Sequence, residues 1–192
     1  MATACIFRPS TFFERVSLPR SMLVKYIIPT PIGHMEISGS ELGVCTAQLC
    51  EGRETTADSG AKAVSEMLEN HPVATCARQI AEYFAGARQD FDLKLDWSGA
   101  PDFHQKVWAE LIKIPFGRTA SYSEIAERAG IPAAVRAVGM ANRSNPIAIV
   151  VPCHRVIGKA GDLRGYFYGL DTKMMLLRHE NPQRFAEQGE LF

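Results

Sequence analysis

Pro152-Cys153-His154-Arg155 follows directly on the apolar run Ile147-Ala148-Ile149-Val150-Val151, and no other stretch of the chain is as suited to chemistry. A short apolar run reads as a buried strand, which would hold the cysteine at its end on a rigid element. The thiolate is the nucleophilic form of cysteine, and a nearby imidazole can help remove the thiol proton. The plain alternative is a buried cysteine packed as a small hydrophobe beside a surface histidine. In an extended segment the side chains of Cys153 and His154 diverge. Divergence disfavours direct contact, and a bridging water would have to relay the proton.

The remaining cysteines, Cys5, Cys45, Cys50 and Cys76, make the total five, an odd and scattered set that fits a reducing compartment rather than a disulfide framework. Cys45 and Cys50 lie in a strand-like stretch at an odd spacing, which points them to opposite faces and makes them a poor metal pair. No apolar run approaches the length of a membrane span. With 21 basic and 21 acidic residues the formal charge is zero, which argues against nucleic-acid binding by bulk electrostatics. A local basic surface stays open. Between Arg128 and Gly161 there is no acidic residue, while Arg128, Arg136, Arg143, Arg155 and Lys159 all fall there.

The elements that must position these groups read as two small units, within the reach of 192 residues at 46% hydrophobic content. Residues 1–21 read as a variable N-terminal extension. Leu23–Ile28, His34–Ser38 and Leu42–Leu49 predict an antiparallel meander, with Pro29-Thr30-Pro31-Ile32-Gly33 as a turn. Ala61–Leu68 and Val73–Phe84 read as helices, the second burying Ile80, Tyr83 and Phe84; Phe91, Leu93 and Leu95 alternate as a last strand. Asp96–Pro101 is polar and carries Gly and Pro, a candidate linker. Beyond it Phe103, Val107, Trp108, Leu111 and Ile112 keep helical spacing up to Pro115-Phe116-Gly117.

Ser121 followed by Glu124 forms a capping box for the next helix, and Gly130 stops it. Pro132 suits the first turn of a helix over Ala133–Asn142. Tyr122–Ala129, the Gly130-Ile131-Pro132 turn and Ala133–Asn142 together read as a helix-turn-helix. The second helix is rich in small residues (Ala133, Ala134, Ala137, Gly139, Ala141), which allow a close approach either to a nucleic-acid groove or to another part of the protein.

Taken together, these motifs resemble the O6-alkylguanine–DNA alkyltransferase family, the methylated-DNA–protein-cysteine methyltransferases. The resemblance rests on residues 145–158 (Asn145-Pro146 through Pro152-Cys153-His154-Arg155 to Gly158), Gly165-Tyr166, Gly169-Leu170, Lys173, Leu176-Leu177 and His179-Glu180. Upstream, Phe103–Trp108, Ile114–Gly117, Ser121-Tyr122 and Arg136–Gly139 also match. It is strong over 101–181 and weaker over 22–100, where Thr30-Pro31-Ile32-Gly33 is typical.

The resemblance implies an α+β protein with no cofactor. Residues 22–98 would be an N-terminal α/β domain with a small antiparallel sheet (ribonuclease H-like). Residues 99–182 would be a mostly helical, winged-helix-like domain that binds DNA and accepts the alkyl group, and 183–192 a tail. It implies a cytoplasmic monomer, nucleoid-associated if bacterial. This protein would bind the minor groove of double-stranded DNA, flip out an alkylated base and move the alkyl group irreversibly to Cys153. The substrate would be O6-alkylguanine, with O4-alkylthymine as a second candidate. His154 would relay the proton, Glu180 would orient the imidazole, Tyr166 would sit beside the base oxygen and Asn145 would buttress the site.

On the DNA side, Arg136 would fill the gap left by the flipped base and Tyr122 would rotate the nucleotide through its 3′ phosphate. Ala134, Ala137 and Arg143 would complete that face. Ala148, Val156, Phe167 and Tyr168 would line the pocket, with the Cys153 and Val156 carbonyls facing the guanine edge. Many members have glycine where Tyr168 stands, and some have proline where Ala148 stands, so a narrower pocket is expected. The zinc ligands of some members are not matched by Cys5, Cys45, Cys50, His34 and His71, so no metal is expected.

Two other functions compete. A non-catalytic lesion-binding module would have the reactive cysteine replaced, and Cys153 stands against it. A cysteine hydrolase would need Cys153 and His154 to pair directly, which neighbours in a strand cannot do.

Overall fold

The computed structural model describes residues 23–50 and 70–186. The expected helix over 61–68, the 1–21 extension, Cys5 and residues 187–192 lie outside the described residues. Strands β1 (Val24–Thr30), β2 (Gly33–Ser40) and β3 (Gly43–Cys50) form a three-stranded antiparallel sheet in sequence order. The Pro31-Ile32 turn sets the β1–β2 register, with Thr30 opposite Gly33 and Ile28 opposite Met35. Helix α1 (Pro72–Phe84) lays Val73, Cys76, Ile80 and Tyr83 against the sheet residues Met35, Ile37, Val44 and Ala47. Proline in the first turn and the His71 ring accepting from the Val73 amide start this helix.

Phe91–Leu95 does not form the expected strand. This segment is extended, but it joins the sheet only by the Val44–Leu95 bridge, Val44 N donating to the Lys94 carbonyl and Asp96 N to the Val44 carbonyl. Apolar alternation is present, but among the described residues the segment pairs with β3 alone, at that one bridge.

Helix α2 (Asp102–Ile112) follows, then the short strand β4 (Ala120–Ser121) and helix α3 (Tyr122–Arg128). The expected capping box is formed in both directions, Glu124 N to Ser121 Oγ and Ser121 N to the Glu124 carboxylate. Gly130, at φ +70°, takes the left-handed position after α3. Its amide and that of Ile131 close back on the Glu127 and Ala126 carbonyls, a C-cap that favours glycine. Pro132–Ala134 is a separate 3₁₀ turn, so helix α4 runs Val135–Arg143 rather than from Ala133. Trp108 Nε1 donates to the Ala141 carbonyl at 2.7 Å and ties α4 to α2.

The apolar run 147–151 is buried throughout but is not a strand. It folds into a turn in which Val150 and Val151 close back on Ala148 and Ile147, with Ile149 at φ +72°. A β-branched residue in that region is strained and persists only where its surroundings over-determine it. Two such constraints are visible. The Ala148 amide donates to the Ala47 carbonyl and the Ala47 amide to the Pro146 carbonyl, hooking the turn onto β3. Cys153–Arg155 then forms a 3₁₀ turn, β5 (Val156–Ile157) pairs in parallel with β4, and α5 (Leu170–Glu180) and α6 (Pro182–Phe185) close the structure. Among the described residues, a small antiparallel sheet carrying helix α1, joined to a helical half, makes the molecule α+β.

Candidate active site

Cys153 is 5% exposed. Asn145 sits behind it. Its carbonyl oxygen accepts the Ile147 amide at 3.0 Å. Its amide donates to the Val151 carbonyl at 2.8 Å and lies 3.1 Å from the sulfur. One side chain therefore braces the strained turn and touches the nucleophile. Asn142, from α4, reaches the Cys153 carbonyl at 3.4 Å. Burial pushes the Cys153 thiol up, while Asn145, the Tyr166 hydroxyl and the Lys173 ammonium pull it back. At rest the sulfur is a thiol, so its proton must be taken up as the reaction begins.

His154 is fully buried, and the extended geometry expected for it is replaced by a 3₁₀ turn. No hydrogen bond links it to the sulfur; its Nε2 lies 2.7 Å from Glu180 Oε1. Burial pushes the imidazole down, against the pull of Glu180, so it is neutral at neutral pH. Glu180 is held well below the usual carboxylate range by His154 and Arg155, which outweigh its burial. An ionised carboxylate only accepts, so Nε2 carries the ring proton. Nδ1 is left as a buried lone pair with no partner among the described residues. That is the state a proton acceptor requires.

The carboxylate is the hub of the site rather than a helix-end surface group. Oε1 accepts from His154, from Tyr83 Oη at 2.9 Å and from an Arg155 terminal nitrogen at 3.0 Å. Oε2 accepts from Arg155 Nε at 2.9 Å and the Gly117 amide at 3.0 Å. Gly117 is at φ +69°, and a Cβ there would stand 3.1 Å from the Glu180 carbonyl, so the close approach favours glycine. Arg155, counted in the basic stretch, is 4% exposed and also donates to the Ile114 carbonyl at 2.6 Å. It is spent on Glu180 and offers nothing to a surface partner. A buried Arg–carboxylate pair needs such extra bonds to offset its desolvation.

Lys173, Arg155 and Tyr83 have roles in the site that their local sequence does not signal: Arg155 reads as part of a basic stretch and Tyr83 as a core aromatic. Lys173 is buried, its ammonium donating to the Val156 carbonyl at 2.7 Å and the Arg164 carbonyl at 3.1 Å. Burial lowers it to about 8. The Val156 carbonyl, expected to face guanine, thus already holds the Lys173 ammonium, and that of Cys153 holds both the Asn142 amide and the Val156 backbone N–H.

Two family models match the chain. The 6-O-methylguanine DNA methyltransferase ribonuclease-like domain covers residues 23–97, and the DNA binding domain of the same name covers 102–182. The methylated-DNA–protein-cysteine methyltransferase of Methanosarcina barkeri is 44% identical over 155 residues, 80% of this chain and 94% of the relative. The chain belongs to the methylated-DNA–protein-cysteine methyltransferase family. Among solved structures, the Mycobacterium tuberculosis O6-methylguanine methyltransferase superposes with a TM-score of 0.67 at 39% identity, covering 84% of this chain and 94% of that one. The Mycobacterium tuberculosis protein in complex with DNA gives 0.66 at 41%, covering 81% and 91%.

The family's DNA-side positions fall on one exposed surface in part. Arg136 and Arg143 project from α4 into solvent, with Met140, 71% exposed, between them. Ala134 precedes α4 and Ala137 lies within it, both half-buried. Tyr122 is half-buried, with its ring against Gly139 and its hydroxyl raised by burial and by proximity to Cys153. The pocket positions are less uniform. Ala148 and Val156 are buried at 2% and 0%. Tyr168 packs edge-on against Tyr166 at 5.7 Å, and burial, with Cys153 nearby, pushes its hydroxyl up to about 12. Phe167 is 62% exposed, its ring on Tyr168 at 5.0 Å.

Proposed function

We propose that this protein repairs alkylated DNA by direct transfer, once per molecule, of the alkyl group from O6 of guanine to Cys153. The observation that carries the reading is the pairing of a buried thiol with a neutral histidine whose proton-bearing nitrogen is fixed by Glu180. Thiolate is a soft nucleophile suited to saturated carbon. The S–C bond forms as the C–O6 bond breaks and its electron pair stays on guanine; the thiol proton passes to His154 through a bridging water, and one proton handed back from the imidazolium leaves guanine neutral. The Tyr166 hydroxyl beside the sulfur is placed to donate to the oxygen that gains charge. The thioether has no route back, so the protein is consumed.

On this reading residues 99–182 bind the duplex from the minor groove as a monomer. Arg136 holds the stack open, Tyr122 turns the nucleotide, and Ala134, Ala137 and Arg143 line the contact. Ala148, Val156, Phe167 and Tyr168 shape the pocket, and residues 22–98 brace the Cys153 turn through β3. Incubation with a duplex containing O6-methylguanine tests it. The wild type should restore guanine in proportion to protein added, and Cys153→Ser should bind the duplex but restore none. Restored guanine exceeding the protein, or repair by Cys153→Ser, overturns it.

A further inference from the structure

We infer that Tyr83, in the sheet-bearing half of the molecule, is a positioning residue for the proton relay and sets the basicity of His154; this rests on the alkyl-transfer reading above. Tyr83 lies 97 positions from Glu180 in sequence, yet its hydroxyl reaches the same Oε1 that accepts from His154, at 2.9 Å. The hydroxyl is the donor, because the carboxylate can only accept and burial holds the phenol far above its ordinary range.

The ring cannot swing away. It is 0% exposed and packed against Phe84, Phe91, Phe116 and His179 at centroid distances of 5.1, 5.7, 6.0 and 4.8 Å. His179, next to Glu180, donates from Nε2 to the Tyr83 carbonyl at 2.8 Å, so the two helix ends are fastened by two bonds. This is an apolar setting in which a hydroxyl is costly unless it is used.

Its use follows from the crowding of Oε1. A carboxylate oxygen shared among Tyr83, Arg155 and His154 has less negative charge to offer the imidazole than one facing His154 alone. The other charged or titratable groups around the pair are Arg155 on the same turn and Lys173 on α5, with His179 against the Tyr83 ring and Tyr166 near both Tyr83 and Cys153. None of them reaches Glu180 from the N-terminal half; Tyr83 does. Removing its hydroxyl leaves the charge of Glu180 more available to the imidazolium, which raises the affinity of His154 for a proton.

The experiment is a pH titration of the His154 ring by ¹⁵N NMR, run beside the pH dependence of transfer from methylated duplex. In Tyr83→Phe, which keeps the packed ring, the His154 midpoint should rise by roughly half to one pH unit, the scale of losing one of several bonds to a carboxylate. The acid limb of the rate should rise with it, while the plateau rate changes less than about threefold. Replacing Tyr83 with 3,5-difluorotyrosine, a stronger donor of the same shape, should move both midpoints the other way. Unmoved midpoints in both variants, or shifts of the same sign, overturn the inference. The ring titration is read without turnover, so a wild type that titrates as described but transfers no alkyl group would overturn the proposed function and leave this inference standing.

Discussion

Replacing Glu180 with glutamine should unseat both the fold and the relay. The carboxylate accepts five donors, from His154, Tyr83, Gly117 and two nitrogens of Arg155. Glutamine loses the charge and turns one acceptor into an NH₂ that faces existing donors. Leaving a buried ion unpaired costs about 3–5 kcal/mol. Glutamine keeps one acceptor oxygen, so the lower end applies, about 3 kcal/mol, or roughly 6–12 °C of melting temperature for a chain of this size.

The effect has a definite pH dependence. Glu180 is depressed in the fold, so its contribution is full above the ordinary glutamate range and is lost as pH falls. The difference between wild type and variant should be constant near pH 7 and shrink below about pH 4. Transfer at saturating duplex should fall by about 10²–10⁴-fold, the worth of a positioned general base. Urea melts at several pH values and single-turnover rates measure both. A variant within about 1 kcal/mol of wild type and with an unchanged rate would refute the hub assignment.

Two further outcomes follow from the exposed surface and the pocket. Arg136→Ala should slow repair in duplex DNA more than reaction with free O6-alkylguanine base, because only the duplex must be unstacked; equal losses in the two single-turnover assays would remove Arg136 from the flipping step. Tyr168 occupies space beside Tyr166 and near Cys153. Tyr168→Gly should therefore raise the benzyl-to-methyl rate ratio several-fold, on the order of 1 kcal/mol of recovered apolar contact. An unchanged ratio of second-order inactivation rates would place the size limit elsewhere.

The Ser121–Glu124 box, the Gly130 stop and the three-strand meander depend on residues a few positions apart, and each forms as expected. The apolar run at 147–151 misled because an aperiodic buried segment shows burial but not backbone path. Its turn is imposed by Asn145 and by the distant edge of β3. Arg155 read as surface charge because its partner Glu180 lies 25 residues on and Ile114 41 back. Tyr83 read correctly as a core aromatic, but helical periodicity gives the direction of a ring and not the partner of its hydroxyl. The chemistry of the site was legible in the Cys153 motif; the hub that tunes it is assembled from long-range contacts.

The central claim is tested most directly by intact-mass measurement and peptide mapping after mixing the protein with an excess of duplex containing O6-methylguanine. Burial raises Cys153, Cys76 (to about 12) and Cys45 alike, Asp96 adding to the last; Cys153 differs in the Asn145 and Lys173 donors that pull it back and in the adjoining His154–Glu180 pair. The account predicts one added methyl group per protein, on the peptide carrying Cys153, with no further turnover. Methylation at Cys45, Cys50 or Cys76, or continued repair after every molecule has been modified, would contradict it.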